Sequence, residues 1–240
     1  MECWASSLKN CGGGTSREHY ISDGILDGRV VSAFGLEWCK DAPKTIGVAR
    51  ATAKILCKTH NEALSAFDAE AAKFSRFLTE NLMDDPLKAD TITLSGTLLE
   101  KWALKTCLNL GFMGALDPET HIRIVPDAAL VRAVFGPGLS PEGMGLYFVH
   151  GRVNNENYRV GLSWKAIRNR TDGDKVVGMH FMFNGFRFVV SVVPVRANPL
   201  LLKLGVVDGL DFATAKIDYR PKNIRMRSVN AGEKLIMLSW

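Results

Sequence analysis

Apolar and polar positions alternate with different periods along this chain and divide it into three stretches. From Cys57 onward, Leu64, Phe67, Ala71, Phe74 and Leu78 recur at spacings of three and four, which predicts a helix with one buried face. Cys57 and His60 continue that stripe toward the amino end, while Asn61, Ser65 and Asp68 form a polar stripe beside it. Asp84-Asp85-Pro86 then breaks the chain. A second helix is predicted over 91–110, where Ile92, Leu94, Leu98, Leu99, Trp102 and Leu108 make a broad apolar surface closed by Gly111. Trp102 and Cys107 belong to its core side. A shorter helix is predicted over 126–135, stopped by Gly136-Pro137-Gly138.

The period changes in the last third. Residues 145–153 and 158–167 read as strands, and 176–183 and 186–193 read as a hairpin, because Asn184-Gly185 suits a tight primed turn. Further strands are expected near 213–219, 223–229 and 234–239, with His150 and His180 as partnered structural histidines. The expectation is an α+β chain: a stapled module over residues 1–84, then a helical connector and an antiparallel sheet over residues 85–240.

Composition adds little to that picture and charge adds more. Hydrophobic content of 47% with 23% charged residues is that of an ordinary soluble protein. No apolar run is long enough to span a bilayer and no basic-then-apolar leader opens the chain, so no membrane association and a cytoplasmic location are expected. Residues 1–90 carry 11 basic and 13 acidic side chains, residues 91–150 carry 4 and 5, and residues 151–240 carry 15 and 7. The net charge of +5 therefore belongs to the last third. Lys165, Arg168 and Arg170 form one cluster there, and Arg220, Lys222, Arg225 and Arg227 another. Such clusters neutralise phosphates and give salt-dependent affinity for nucleic acid; a solvated face is the alternative.

Cysteine usage points to metal. Five cysteines is an odd number and fits thiol ligands in a reducing compartment better than a disulfide framework. Cys3 and Cys11 form one pair, and Cys57 and His60, with two residues between them, form another. Structural zinc takes four Cys and His ligands in two such pairs. The seven residues between Cys3 and Cys11 would have to bulge. Ordinary thiols and a helix-face histidine are the alternative. Glu18-His19 lies between the pairs and offers an imidazole to activate water beside a carboxylate for a hard cation. Neighbours on a strand face opposite ways, so one of the two would face the ion and the other inward.

The order Cys3, Cys11, Glu18-His19, then Cys57-x2-His60-Asn61 leading into a helix resembles the zinc-containing branch of the HNH (ββα-metal) endonucleases over about the first eighty residues. The resemblance implies two strands and a helix holding one divalent ion, Mg²⁺ or Mn²⁺. His19 matches the general base, Glu18 the acidic ligand and Asn61 the asparagine after the second pair, with Asp68 a further candidate ligand on the helix. Cys3, Cys11, Cys57 and His60 match the structural zinc ligands. Ala51-Thr52-Ala53-Lys54 stands where the family carries its middle asparagine. The implied activity is metal-dependent hydrolysis of DNA, less readily RNA. The alternative is a catalytically silent zinc-stabilised nucleic-acid-binding or partner-activated module. A protein partner or a second copy of the chain would engage the carboxy-terminal domain.

Overall fold

The structure is a computed structural model; it describes residues 3–26, 30–34, 36–82, 91–116, 121, 123–150, 162–169, 175–183, 186–194, 206–207, 210–211, 215–228 and 232–240. The amino-terminal third contains strands β1 (Thr15–His19), β2 (Val30–Ala33), β3 (Lys44–Gly47) and β4 (Thr52–Cys57), then helices α1 (Lys58–Glu62) and α2 (Ser65–Leu82). β5 (Thr91–Ser95), α3 (Gly96–Phe112) and α4 (Ala128–Phe135) follow. The remainder is strand: β6 (Gly145–Val149), β7 (Leu162–Asn169), β8 (Lys175–Phe183), β9 (Phe186–Ser191), β10 (Val206–Val207), β11 (Leu210–Asp211), β12 (Ile217–Tyr219), β13 (Asn223–Ser228) and β14 (Gly232–Ser239).

Mixed helix and sheet agrees with the expected α+β class. β1 pairs with β4 antiparallel, with a register irregularity between Ser16 and Glu18. β2 pairs with β3, and β10 with β11. β12, β6, β9, β8 and β7 form a five-stranded antiparallel sheet in that order. The expected hairpin is its β8–β9 pair, with Phe183 opposite Phe186; the turn, Asn184-Gly185, lies outside the described residues. A three-stranded sheet has the order β13-β14-β5.

Two predicted helical stretches are shorter than expected, each because a strand precedes the helix. Thr91-Ile92-Thr93-Leu94-Ser95 alternates hydroxyl-bearing and apolar residues and pairs parallel with β14, Thr91 opposite Leu235 and Ser95 opposite Ser239. α3 starts only after Ser95, whose Oγ accepts the Leu98 N–H as an N-cap. Similarly, Cys57 ends β4 and stands before α1, so it does not begin the helical stripe. The rest of that stripe is as expected: Leu64, Phe67, Ala71, Phe74 and Leu78 are all buried.

The expected helical connector is instead the centre of the molecule. α3 is buried along most of its length, including Leu99, Trp102, Ala103, Leu104, Cys107 and Leu108, and it packs on α2, α4, β5, β6, β9 and β14. One hydrophobic core runs from Cys3, Trp4 and Ile55 through Phe74, Trp102 and Leu108 to Phe181, Phe188 and Ile236. It therefore draws on both sides of the division placed at residue 84. Each large side chain buried there contributes roughly 1.5–3 kcal/mol.

α3 also carries buried polar groups, and its buried charges Glu100, Lys101 and Lys105 and the amide of Asn109 are partnered. Glu100 is bonded by Arg220 through Nε and Nη2 at 2.9 and 2.8 Å, by Ser140 Oγ at 2.6 Å and by the Leu146 N–H at 3.1 Å. Gly145, at φ 120°, lies where a Cβ would strike this carboxylate, so only glycine gives the strand start and the carboxylate room together. Among the described residues no helix is long and apolar enough to cross a membrane.

Candidate metal centre and the Glu18-His19 strand

Cys57 and His60 sit at the strand-to-helix junction, where β4 delivers the first and α1 the second within one turn. Cys3 and Cys11 arrive on the amino-terminal loop. A single 3₁₀ turn, Ser6–Leu8, followed by Lys9 at φ 60°, takes up the residues between them; this is the bulge that the spacing demands. Backbone bonds seat the loop on the junction: Trp4 N–H to Ile55 O at 3.1 Å, Thr59 N–H to Gly12 O at 3.3 Å and Lys58 N–H to Gly14 O at 2.9 Å.

The four ligand atoms lie within 4.8 Å of one another. His60 Nδ1 stands 3.2 Å from Cys57 Sγ, 3.4 Å from Cys3 Sγ and 3.7 Å from Cys11 Sγ. Tetrahedral zinc at its usual bond lengths sets nitrogen and sulfur about 3.6 Å apart. The group can thus hold a metal ion, and its donor set and spacing are compatible with zinc. Asn10 completes it. The Nε2–H of His60 donates to Asn10 Oδ1 at 2.8 Å, which leaves Nδ1 as the bare lone pair facing the sulfurs.

The thiols share their protons unequally. Cys11 is the exposed member of the group, and partial desolvation, then the neighbouring thiols of Cys3 and Cys57, push it up to about 12. Burial also acts on Cys57, but N–H bonds from the His60 and Gly12 backbone and contacts with Cys11 and Cys3 outweigh it and lower its pKa. Burial lowers His60, favouring the neutral ring that a metal requires. Cys107, by contrast, is fully enclosed in α3 and pushed up to about 12 by burial alone, as a core thiol should be. All five cysteines are free.

Glu18 and His19 lie on β1 opposite Ala53 and Thr52. Glu18 is buried and His19 half-buried, the opposite facing expected of strand neighbours. The inward group is the carboxylate, and it is already neutralised: Lys105 Nζ reaches Glu18 Oε1 at 2.6 Å and Asp68 Oδ1 at 2.9 Å. Asn109 Nδ2 donates to Glu18 Oε1 at 3.2 Å and to the His19 carbonyl at 3.3 Å. Ser22 Oγ donates to Asp68 Oδ1 and accepts from Trp102 Nε1. Burial raises the Glu18 pKa against the pull of Lys105. Glu18 and Asp68 therefore do not fit as ligands of a catalytic Mg²⁺ or Mn²⁺, because an ammonium group occupies the space between them.

Asn61 has a different task. Its Nδ2 donates to Ser16 Oγ at 2.8 Å and Arg17 O at 3.0 Å, tying α1 to β1 just before Glu18-His19. Ser65, in the same polar stripe, is exposed. His19 Nε2 is enclosed and has no hydrogen-bond partner among the described residues.

The basic residues are dispersed. Lys165 and Arg168 lie on β7, the edge of the five-stranded sheet; Lys222 and Arg225 lie at or on β13, the edge of the three-stranded one. Arg227 is on β13, its side chain outside the described residues, as is all of Arg170. Arg220 is a correction: its guanidinium is bound to Glu100 and stacks on Tyr219 at 4.7 Å, so it holds α3 to the sheet and is not set out for phosphate. His150 Nε2 lies 2.6 Å from Asp218 Oδ2, a partnered histidine as expected.

Sequence reasoning missed Asn10, Lys105 and Asn109. The last two had a signal: Lys101, Lys105 and Asn109 recur every four residues on a helix that is mostly apolar, and such a stripe needs buried partners. Comparison with protein-family models, with curated proteins and with solved structures finds no match for this chain.

Proposed function

We propose that the amino-terminal part is a zinc-stapled ββα module of the HNH kind and that the chain is an endonuclease hydrolysing phosphodiester bonds, with DNA favoured over RNA. One observation carries the reading: the Cys3, Cys11, Cys57 and His60 donors converge at the β4–α1 junction, and the next helix residue, Asn61, grips β1 immediately before Glu18-His19. Staple and candidate base thus belong to one strand-and-helix unit. When bound, zinc supplies the folding free energy of a loop with little core of its own.

His19 is the group proposed to take the proton from the attacking water. An imidazole with one uncommitted nitrogen suits that task near neutral pH. Nε2 is enclosed, so a phosphodiester reaches it only when neighbouring side chains shift. Glu18 and Lys105 form the floor beneath the strand that carries this base. Lys165, Arg168, Lys222 and Arg225 are proposed to contact the nucleic-acid backbone.

The test is cleavage of plasmid and of single-stranded DNA and RNA by the full chain with Mg²⁺, Mn²⁺ or EDTA, comparing wild type with His19→Ala. Loss of cutting in the variant, with zinc content and thermal midpoint unchanged, supports the reading; equal cutting by both overturns it. The Glu18–Lys105 ion pair favours a second reading, a catalytically silent nucleic-acid-binding or partner-activated module. Salt-sensitive binding without turnover under any ion would select it, and turnover appearing on addition of a protein partner would select its activated form.

A further inference from the structure

Lys105 is the most deeply enclosed charge among the described residues, with no exposure of its side chain. Its ammonium lies between oxygens from two distant segments, Glu18 of β1 and Asp68 of α2, at 2.6 and 2.9 Å. Ser22 donates to the Asp68 oxygen and Asn109 to the Glu18 oxygen. Two carboxylates, each further hydrogen-bonded and drawn from separate elements, make a donor set suited to a hard divalent cation. Here a cation comes with the chain. It cannot withdraw to solvent, because it stands in the interior of α3, flanked by the buried Leu104 and Thr106.

We propose that Lys105 is a resident cation of the Glu18–Asp68 pair: it takes the place a divalent ion would fill, bars such an ion from these carboxylates, and fixes the strand residue beside His19 from a helix outside the stapled module. Displacing it by Mg²⁺ or Mn²⁺ would leave an ammonium buried without a partner, and that penalty opposes ion binding at this place. Asn109, one helical turn on, holds the His19 carbonyl as well as Glu18. Thus α3 holds the strand of the proposed base through two side chains, Lys105 on the Glu18 carboxylate and Asn109 on the His19 carbonyl. The inference rests on the placement of Glu18 beside His19 and does not require turnover, so the failure of the nuclease reading leaves it intact.

The experiment is Mn²⁺ binding to the zinc-loaded full chain, followed by electron paramagnetic resonance and calorimetry. Wild type and Glu18→Gln are expected to bind Mn²⁺ with the same affinity, since Glu18 is engaged by Lys105. Lys105→Met, close in shape but uncharged, is expected to gain a Mn²⁺ site that the Lys105→Met/Glu18→Gln double variant lacks. A tenfold or greater loss of Mn²⁺ affinity in Glu18→Gln relative to wild type overturns the proposal. So does a folded Lys105→Met that gains no Mn²⁺. If Lys105→Met does not fold, wild type against Glu18→Gln decides the matter alone.

Discussion

Two polar clusters are anchored on β1 and β4, and they satisfy their converging lone pairs in opposite ways. At the β4–α1 junction three thiols and one imidazole nitrogen converge. Beneath β1, Glu18 and Asp68 converge on Lys105. Buried acceptors need a positive partner or a proton. The first cluster can be finished by a metal ion from outside; the second is finished by a lysine from within. The lesson is that converging ligand residues identify a metal centre only when no side-chain cation already stands among them.

The strongest way to break the comparison is to empty the first cluster. Cys57→Ala or His60→Ala is expected to abolish stoichiometric zinc, read by plasma mass spectrometry, and to unfold residues 3–62, because structural zinc contributes on the order of 10 kcal/mol to folding in small modules. Exhaustive chelation should have the same effect on the wild type. A zinc-free chain with unchanged circular dichroism and thermal midpoint would show that the four donors are only packed side chains.

Next in size is the second cluster. Lys105→Met leaves Glu18 and Asp68 without their cation, and breaking a buried ion pair from one side costs about 3–5 kcal/mol. Glu18→Gln/Lys105→Met should recover part of that loss, since the neutral amide no longer needs a charge partner. Chemical denaturation of the two single variants and the double variant measures the coupling. Additive losses would mean that Glu18 and Lys105 do not hold each other.

The sequence made these two clusters unequally legible. Cysteine and histidine have few reasons to recur in pairs, so Cys3, Cys11, Cys57 and His60 were visible before any fold was. Lysine and glutamate occur everywhere, and Glu18 with Lys105 is a pairing across 87 positions that no local pattern records. The α2 stripe, Leu64 to Leu78, was readable because helical periodicity is local. β5 was not separated from α3, although Thr91 to Ser95 alternates, because its partner is β14 at the far end of the chain. Asn10 was invisible for a further reason: only a folded loop brings its amide to His60.

A smaller effect sharpens what the first cluster owes to its surroundings. Asn10 offers His60 one hydrogen bond and no ligand atom. Asn10→Ala is expected to fold and bind zinc, with affinity lower by about 10–100-fold, the usual loss when the group orienting a ligand histidine is removed. Competition against a chromophoric chelator measures it. Unchanged affinity would mean that the ring is oriented by its packing against Phe135, 5.1 Å away between centroids.

The smallest effect separates the clusters by pH. Burial lowers the His60 pKa, so below its unfolded value, about 6.5, the unfolded chain binds a proton that the folded one resists, and stability falls as pH falls. Protons also compete with metal for the thiolates. Glu18 runs the other way: its pKa is raised, chiefly by burial, so its contribution is fully present below its unfolded pKa and is lost as pH rises through the folded one. Acidification from about pH 7 to about pH 5, through the histidine range, should therefore release zinc and lower the denaturation midpoint, and Glu18→Gln should leave that drop in place. A drop that disappears in Glu18→Gln would assign the acid sensitivity to the lysine cluster and remove the distinction between an imported and a resident cation.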